Sequence, residues 1–209
     1  MGNNTKTYAV VGNSGSILNS DYGSLIDSHD YVIRFNQAPV EGFENHVGSK
    51  TSLRIVNCHM FNSLLPNSTK ENEEVFSKYD PNYALKLENE NILIKDPISI
   101  NLFSNVFNQM RANGCEVSIL DQEITVTLRD AIRLTGKNPS SGMLGVYLAL
   151  RNSNAPVSCF GFSFYDDPWE SKHYYEHIKP YNMQESHSFD CEKKWIDSLE
   201  EEGKVKVYK

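Results

Sequence analysis

The sequence predicts an α/β domain with a mostly parallel central sheet flanked by helices. Two observations lead there. Apolar runs of about four residues, each closed by a turn residue, recur along the chain. Between them lie stretches whose apolar residues fall at helical spacing, and strand–helix alternation is the pattern of a parallel sheet. At 209 residues the chain has the size of one large domain, so a single domain over 1–209 is expected.

The elements follow in order. Tyr8-Ala-Val-Val11 is a buried strand feeding the glycine turn Gly12-Asn-Ser-Gly15. Ser16 to Ile26 is expected to carry a helix broken near Gly23. Tyr31 to Phe35 and Ser52 to Val56 read as the second and third strands. Asn62 to Asn91, rich in Asn, Ser, Glu and Lys, is expected to form surface loops with one short helix. Ile92 to Ile94 is a further strand, and Leu102, Phe103, Val106, Phe107 and Met110 lie at helical spacing. Glu116 to Leu120 reads as a strand and Thr127 to Leu134 as a helix. Ser140 to Leu150 is a strongly apolar helix whose small residues Gly142, Gly145 and Ala149 suit close packing on a sheet. Val157 to Phe160 is a strand closed by Gly161. Asp190 to Glu202 is an amphipathic helix with Trp195, Ile196 and Leu199 on one side. Lys204 to Tyr208 alternates, as an edge strand with exposed lysines does.

Composition narrows the function classes. Apolar residues make up 39% of the chain and charged residues 22%, enough for a packed core. Twenty Lys and Arg against 27 Asp and Glu give a net charge of −7. Such a chain is a poor non-specific ligand for nucleic acid or an anionic membrane, and no basic block offsets this. No apolar run approaches the ~18 residues of a membrane span, so no transmembrane segment is expected within this chain. Met1-Gly2 lacks the Ser or Thr at position 6 that myristoylation needs; Lys6 stands there. Cys58, Cys115, Cys159 and Cys191 are scattered, without the paired spacing of a zinc site. Cys115 and Cys159 sit in apolar runs and are expected to be buried.

Four stretches could carry chemistry. Val10-Val-Gly-Asn-Ser-Gly-Ser16 joins a strand to a helix start through a glycine turn, either a plain tight turn or an anion site built from free N–H groups. Its spacing matches neither a dinucleotide fingerprint nor a Walker loop. Asp27-Ser-His-Asp30, before Ile33-Arg-Phe-Asn36, reads as a cap-and-turn network at a strand end or as a polar catalytic cluster. Pro139-Ser-Ser-Gly142 opens the apolar helix, with serine as an ordinary cap or as a ligand for phosphate or base. Three of the six histidines, His173, His177 and His187, fall near the end among aromatics and carboxylates, a composition suited to proton transfer near neutral pH. Asp166-Asp167 before Pro168 is a turn, or an imitation of the acidic pair that holds a metal in many nucleotide-sugar enzymes.

Together these stretches resemble the eukaryotic-type sialyltransferase family. Val10 to Ser16, Ile26 to Asp30, Val32 to Asn36, Ala38-Pro39, Gly42 to Glu44 and Val47 to Thr51 look like its large sialyl motif. Pro139 to Met143 through Gly161-Phe162 looks like the small motif, His173-Tyr-Tyr-Glu176 like the third, and His187 to Glu192 like the very small H-x-x-x-x-E motif, all in family order. The resemblance implies a single-domain Rossmann-like glycosyltransferase fold (a GT-A variant). It implies inverting transfer of sialic acid from CMP-sialic acid to a sugar hydroxyl, with galactose favoured, without a metal or other cofactor. By position, His187 is implied as the general base and His173 as the residue that holds the donor phosphate. Asn13, Ser14, Asn36, Ser140, Ser141, Gly142, Gly161 and Phe162 are implied to surround the nucleotide. The partners expected are the CMP-sialic acid donor and a glycan acceptor. A catalytically weak nucleotide- or glycan-binding relative, or a transferase of another CMP-activated acid sugar, are the competing readings.

Two departures stand out. The family pairs a Cys just before the large-motif strand with a Cys late in the small motif. Here Thr7-Tyr8 and Asn152-Ser-Asn154 occupy those regions. Typical members also carry a membrane span and stem before the large motif, which begins here about eight residues in. Joint loss of both features leads to the expectation of a soluble protein in the cytoplasm or another reducing compartment, or of a Golgi-lumenal protein if the chain is truncated.

Overall fold

A computed structural model of the chain describes residues 5–57, 83–96, 103–164, 173–175 and 187–209. Tyr8–Val11 (β1), Tyr31–Phe35 (β2), Leu53–Val56 (β3), Asn91–Ile94 (β4), Glu116–Ile119 (β5), Val157–Phe160 (β6) and Val205–Tyr208 (β7) form one sheet. Its order is β5-β4-β3-β2-β1-β6-β7, and each neighbouring pair is parallel. All seven expected strands match to within a residue, and β1, β2 and β6 coincide with their apolar runs. The chain steps outward from β1 to β5, then returns to lay β6 on the other side of β1. That reversal is a topological switch point, and its crevice opens beyond the carboxyl ends of β1 and β6.

The helices are Gly23–Asp27 (α1), Glu44–Val47 (α2), Tyr83–Lys86 (α3), Ser104–Ala112 (α4), Gln122–Ile132 (α5), Ser141–Asn152 (α6) and Phe189–Glu201 (α7). The helix expected over Ser16 to Ile26 with a break near Gly23 is two pieces, a 3₁₀ turn over Gly15–Asn19 and α1, with the break just before Gly23. Gly23 opens α1: a Cβ there would stand 2.0 Å from the Glu44 carbonyl oxygen, so the glycine lets α1 lie against α2. α5 begins five residues before the expected start, because Asp121 caps it by accepting from the Glu123 N–H. Of the stretch expected as surface loops, α3 is described; Asn62 to Asn82 lies outside the described residues.

Strand alternation divides the sheet's side chains between two faces. On one, Val10, Ile33, Phe35, Ile55 and Cys159 pack against α5, α6 and α7 through Leu128, Met143, Val146, Ala149 and Ile196. On the other, Ala9, Val11, Val32 and Phe160 pack with Ile17, Ile26, Val47 and Tyr174. Toward β4, Val56, Ile92 and Ile94 join Phe103, Phe107, Met110 and Cys115. Cys115 and Cys159 are buried, and burial pushes the Cys159 thiol far up its titration range. The closest approach of α6 to the sheet is at Gly145. A Cβ on it would lie 2.6 Å from the Phe35 ring and 3.2 Å from Val10, so the glycine seats the helix and its N-terminus.

The amino end of the sheet is tied by polar groups. Asp27 accepts from the Ser49 N–H, the Ser49 hydroxyl and the Lys50 N–H at 2.7 to 2.9 Å. Burial acts to raise the Asp27 carboxyl, but these bonds from Lys50 and Ser49 hold it below its ordinary value. Asp30 accepts from the Thr7 N–H and hydroxyl, and His29 bridges the Leu25 carbonyl and the Ser158 hydroxyl. The Asp27-to-Asp30 stretch is thus a brace between strands. Next to the regions where the resemblance places the paired cysteines, the Ser153 hydroxyl donates to the Lys6 carbonyl at 3.3 Å.

Candidate active site

The crevice at the switch point is built from strand ends. Gly12 follows β1 and Gly161 follows β6. The Gly12 N–H donates to the Phe160 carbonyl at 2.7 Å and the Ser14 N–H to the Gly161 carbonyl at 3.2 Å. A Cβ on Gly12 would stand 2.4 Å from the Gly161 oxygen, and Gly161 has φ +67°, so both positions require glycine. Ser14 caps the 3₁₀ turn. The His173–Tyr175 segment lies on this turn. His173 bridges Ser14, the Tyr174 N–H donates to the Asn13 carbonyl at 2.9 Å, and Tyr174 is buried against Phe43 with its hydroxyl on the Pro39 carbonyl. His173 is stacked on Tyr175. One motif therefore presents a histidine to the turn formed by another.

Asn36, one residue beyond β2, has φ +49°. Its carbonyl accepts from Arg54 Nη1 at 2.8 Å and its Oδ1 from the Asn57 N–H at 3.0 Å. Arg54 is itself buried and paired with Glu90 at 2.5 Å. The Asn13 Nδ2 reaches the Phe35 carbonyl and the Tyr175 hydroxyl only at 3.5 and 3.4 Å. Asn13 Oδ1 and Asn57 Oδ1 are buried with no hydrogen-bond partner among the described residues. Unpaired buried acceptors are costly, so they mark where donors from a ligand fit.

The third side is the entry to α6. Ser140 caps the helix, its hydroxyl accepting from the Met143 N–H at 3.3 Å. The Ser140 N–H donates to Glu192 Oε1 at 2.7 Å. Glu192 is 1% exposed; burial raises its carboxyl against the opposing pull of Ser140 and Lys95. His187 lies beside this loop. Its Nδ1 is 2.9 Å from the Asn138 carbonyl, and Lys137 Nζ donates to the His187 carbonyl at 3.1 Å. A carbonyl only accepts, so Nδ1 carries the proton and Nε2 of the neutral ring keeps its lone pair. Burial lowers the His187 pKa, against the Asn138 hydrogen bond that raises it and with Lys95 adding to the lowering. Burial and the neighbouring lysines thus favour the neutral imidazole.

All ten residues singled out from the sequence line this one cleft: His187, His173, Asn13, Ser14, Asn36, Ser140, Ser141, Gly142, Gly161 and Phe162. Sequence reading missed Asn57, Phe35, Met143, Ser163, Phe164 and Phe189, and gave Glu192 no role, though all line it too. Asn57 carried one signal, a lone amide directly after an apolar strand. Among the described residues no group of three His, Cys, Asp or Glu side chains is placed to hold a metal. Asp166, Asp167, Glu176 and His177 lie outside the described residues. Among the described residues no helix is long and apolar enough to cross a membrane.

Residues 1–204 match the sequence model of glycosyltransferase family 29 (sialyltransferase). The chain is 32% identical over 212 residues to a CMP-N-acetylneuraminate-beta-galactosamide-alpha-2,3-sialyltransferase 2 of Mus musculus, covering 96% of this chain and 56% of that protein. It is 35% identical over 155 residues to a beta-galactoside alpha-2,6-sialyltransferase 2 of Bos taurus, covering 69% of this chain and 31% of that protein. The chain thus spans from about a third to just over half the length of these relatives. A mammalian sialyltransferase crystal structure superimposes with a TM-score of 0.70 at 25% identity over 98% of this chain and 69% of that one. Another, in complex with Gal-beta-1-3GalNAc-ortho-nitrophenol, gives a TM-score of 0.68 at 26% identity over 98% and 70%. With motif order, parallel sheet and switch-point cleft in agreement with these likenesses, the chain belongs to glycosyltransferase family 29, the sialyltransferases.

Proposed function

We propose that this chain transfers sialic acid from CMP-sialic acid to a hydroxyl of a galactose-containing glycan, with inversion and without a metal. The observation that carries this reading is His187, a neutral imidazole whose Nδ1–H is anchored on the Asn138 carbonyl in the same cleft as His173 and the two glycine turns. The acceptor O–H gives its proton to Nε2 as its oxygen bonds to the anomeric carbon. On the opposite face the bond from that carbon to the phosphate oxygen breaks, and CMP leaves with the electron pair. His173 donates to the phosphate as its charge grows, a stabilisation usually supplied by preorganised donors. The start of α6, at Ser141 and Gly142, adds helix N–H groups of the kind that bind anions. Ser14, Ser140, Gly161 and Phe162 enclose the nucleotide, and the unpaired acceptors of Asn13 and Asn57 receive its amino and hydroxyl donors. Asn36 braces Asn57. The acceptor class follows the galactosides named for the relatives and the structural neighbour. Without the family cysteines at Thr7-Tyr8 and Ser153, folding in a reducing compartment is part of the same proposal.

The test is CMP release from CMP-sialic acid, with and without a lactose-type acceptor, repeated in EDTA. Release that rises with acceptor and is unchanged by chelator is expected. Release that ignores the acceptor would sink the transferase reading in favour of donor hydrolysis, and a large loss in EDTA would overturn the metal-free step. Binding of CMP without any release would leave a nucleotide-binding relative.

A further inference from the structure

One peptide group at the cleft is gripped on both of its polar atoms. The Pro139 carbonyl accepts from Lys95 Nζ at 2.7 Å. The N–H of the same peptide, that of Ser140, donates to Glu192 at 2.7 Å. Lys95 stands one residue beyond β4 and is 6% exposed; Glu192 comes from α7 and is 1% exposed. The preceding carbonyl, that of Asn138, is the one that anchors His187. Thus β4, the loop before α6 and α7 meet at one peptide plane. The cap residue of α6 lies on one side of that plane, and the peptide before it carries the carbonyl that anchors His187.

We infer that Lys95 is a positioning residue of the transfer reaction, fixing through the Pro139–Ser140 peptide both the entry to α6 and the carbonyl that orients the His187 base. The inference rests on the sialyltransferase reading for its kinetic consequence but not for its structural one. Lys95 and Glu192 act here on geometry: each takes one end of the same amide dipole. Lys95 also acts on the base by charge. Among the described residues the charged groups facing His187 are Lys95 and Asp96 just after β4 and Lys137 from the loop before α6, with Glu192 of α7 acted on by Lys95. Removing the Lys95 charge leaves Asp96 less opposed and eases protonation of the ring.

The test compares wild type, Lys95→Met and Lys95→Arg as full chains. In ¹⁵N-histidine spectra, with the His187 signals assigned by their loss in His187→Gln, wild type is expected to show the Nδ1–H tautomer. Lys95→Met is expected to lose that single tautomer and to titrate at higher pH, and Lys95→Arg to restore both. In transfer assays Lys95→Met is expected to lower kcat by about a hundredfold, the scale of a small misplacement of a catalytic group. Little change is expected in the KM for CMP-sialic acid, with recovery of turnover in Lys95→Arg. A folded Lys95→Met with unchanged His187 tautomer and titration overturns the inference, as does wild-type turnover. Should Lys95→Met not fold, Lys95→Gln, which keeps a donor but no charge, carries the same titration. If wild type transfers nothing, the sialyltransferase reading fails while the spectra still decide the role of Lys95.

Discussion

The two ends of the sheet use the same residue types to opposite effect. At the amino ends of the strands Asp27, His29 and Asp30 each have well-placed partners, from Ser49 and Lys50, from Leu25 and Ser158, and from Thr7. At the carboxyl ends Asn13 and Asn57 each keep a buried oxygen with no partner among the described residues, and His187 is held at Nδ1 by the Asn138 carbonyl, which leaves Nε2 for the proposed proton transfer. All but His187 belong to, or closely follow, the stretch that resembles a single motif. The difference teaches that polar residues in such a motif divide by what they are paired with. Completed networks hold strands together, and an unpaired polar atom points to a ligand only where it lines the cleft, as those of Asn13 and Asn57 do and the buried Arg34 Nη1 does not.

The largest effect separates the two ends most sharply. His187→Ala is expected to lower kcat by about 10²–10⁴-fold, the usual contribution of a positioned acid–base group. CMP binding, measured by calorimetry, is expected to survive. Because the base works as the neutral ring and its pKa is lowered, the acidic limb of the wild-type kcat/KM profile is expected below the ordinary 6.5 of histidine. Near-normal turnover in the variant, or an acidic limb above that value, would remove His187 from the mechanism.

At the other end Asp27→Ala is expected to reverse that pattern. Loss of the bonds to Ser49 and Lys50 should cost about 1.5–3 kcal/mol of stability in denaturant unfolding, the range for hydrogen bonds to a charged group. Both kcat and KM should stay at wild-type values while the protein is folded. The Asp27 carboxyl is held below its ordinary 3.8, so its contribution is present above that pH and fades as the pH falls through the folded-state value. The gap in stability between wild type and variant should therefore close in acid. A kinetic defect with unchanged stability would mean that the brace reaches the cleft after all.

How far the molecule was legible follows from where the signals are local. Strands β1, β2 and β6 are short runs of residues buried on both faces, and such runs announce themselves. The start of α5 did not, because Gln122 and Glu123 are polar and the start is set by the Asp121 cap. The break near Gly23 within Ser16 to Ile26 was legible, but its packing reason was not, since that lies in α2, about twenty residues further along the chain. The same distinction applies to the site. The residues of the glycine turns and of the histidine motifs were readable by resemblance. Asn57 and Lys95 were not, since each is a single polar residue after an apolar strand. A parallel sheet nevertheless gives that position a meaning. Asn36 follows β2, Asn57 follows β3, Lys95 follows β4 and Gly161 follows β6, all along the edge where the cleft opens. Sequence alone marks the strand ends but not the order of the strands, and the order brings these residues together.

The smallest expected effect is the most selective test of that rule. Asn57 Oδ1 is buried with no partner among the described residues, so in the free protein it is a cost rather than a support. Asn57→Ala should leave the Tm of the free protein unchanged or raise it slightly, which the loss of a bracing residue such as Asp27 cannot do. Affinity for CMP should fall about tenfold, roughly 1.4 kcal/mol, the scale of one hydrogen bond lost from a desolvated site. A variant that loses stability and binds CMP as wild type does would place Asn57 with the braces, and the division between the two ends of the sheet would fail at its most exposed point. A variant that gains or keeps stability while losing affinity would show that this oxygen is left unpaired in the fold because the nucleotide supplies its partner.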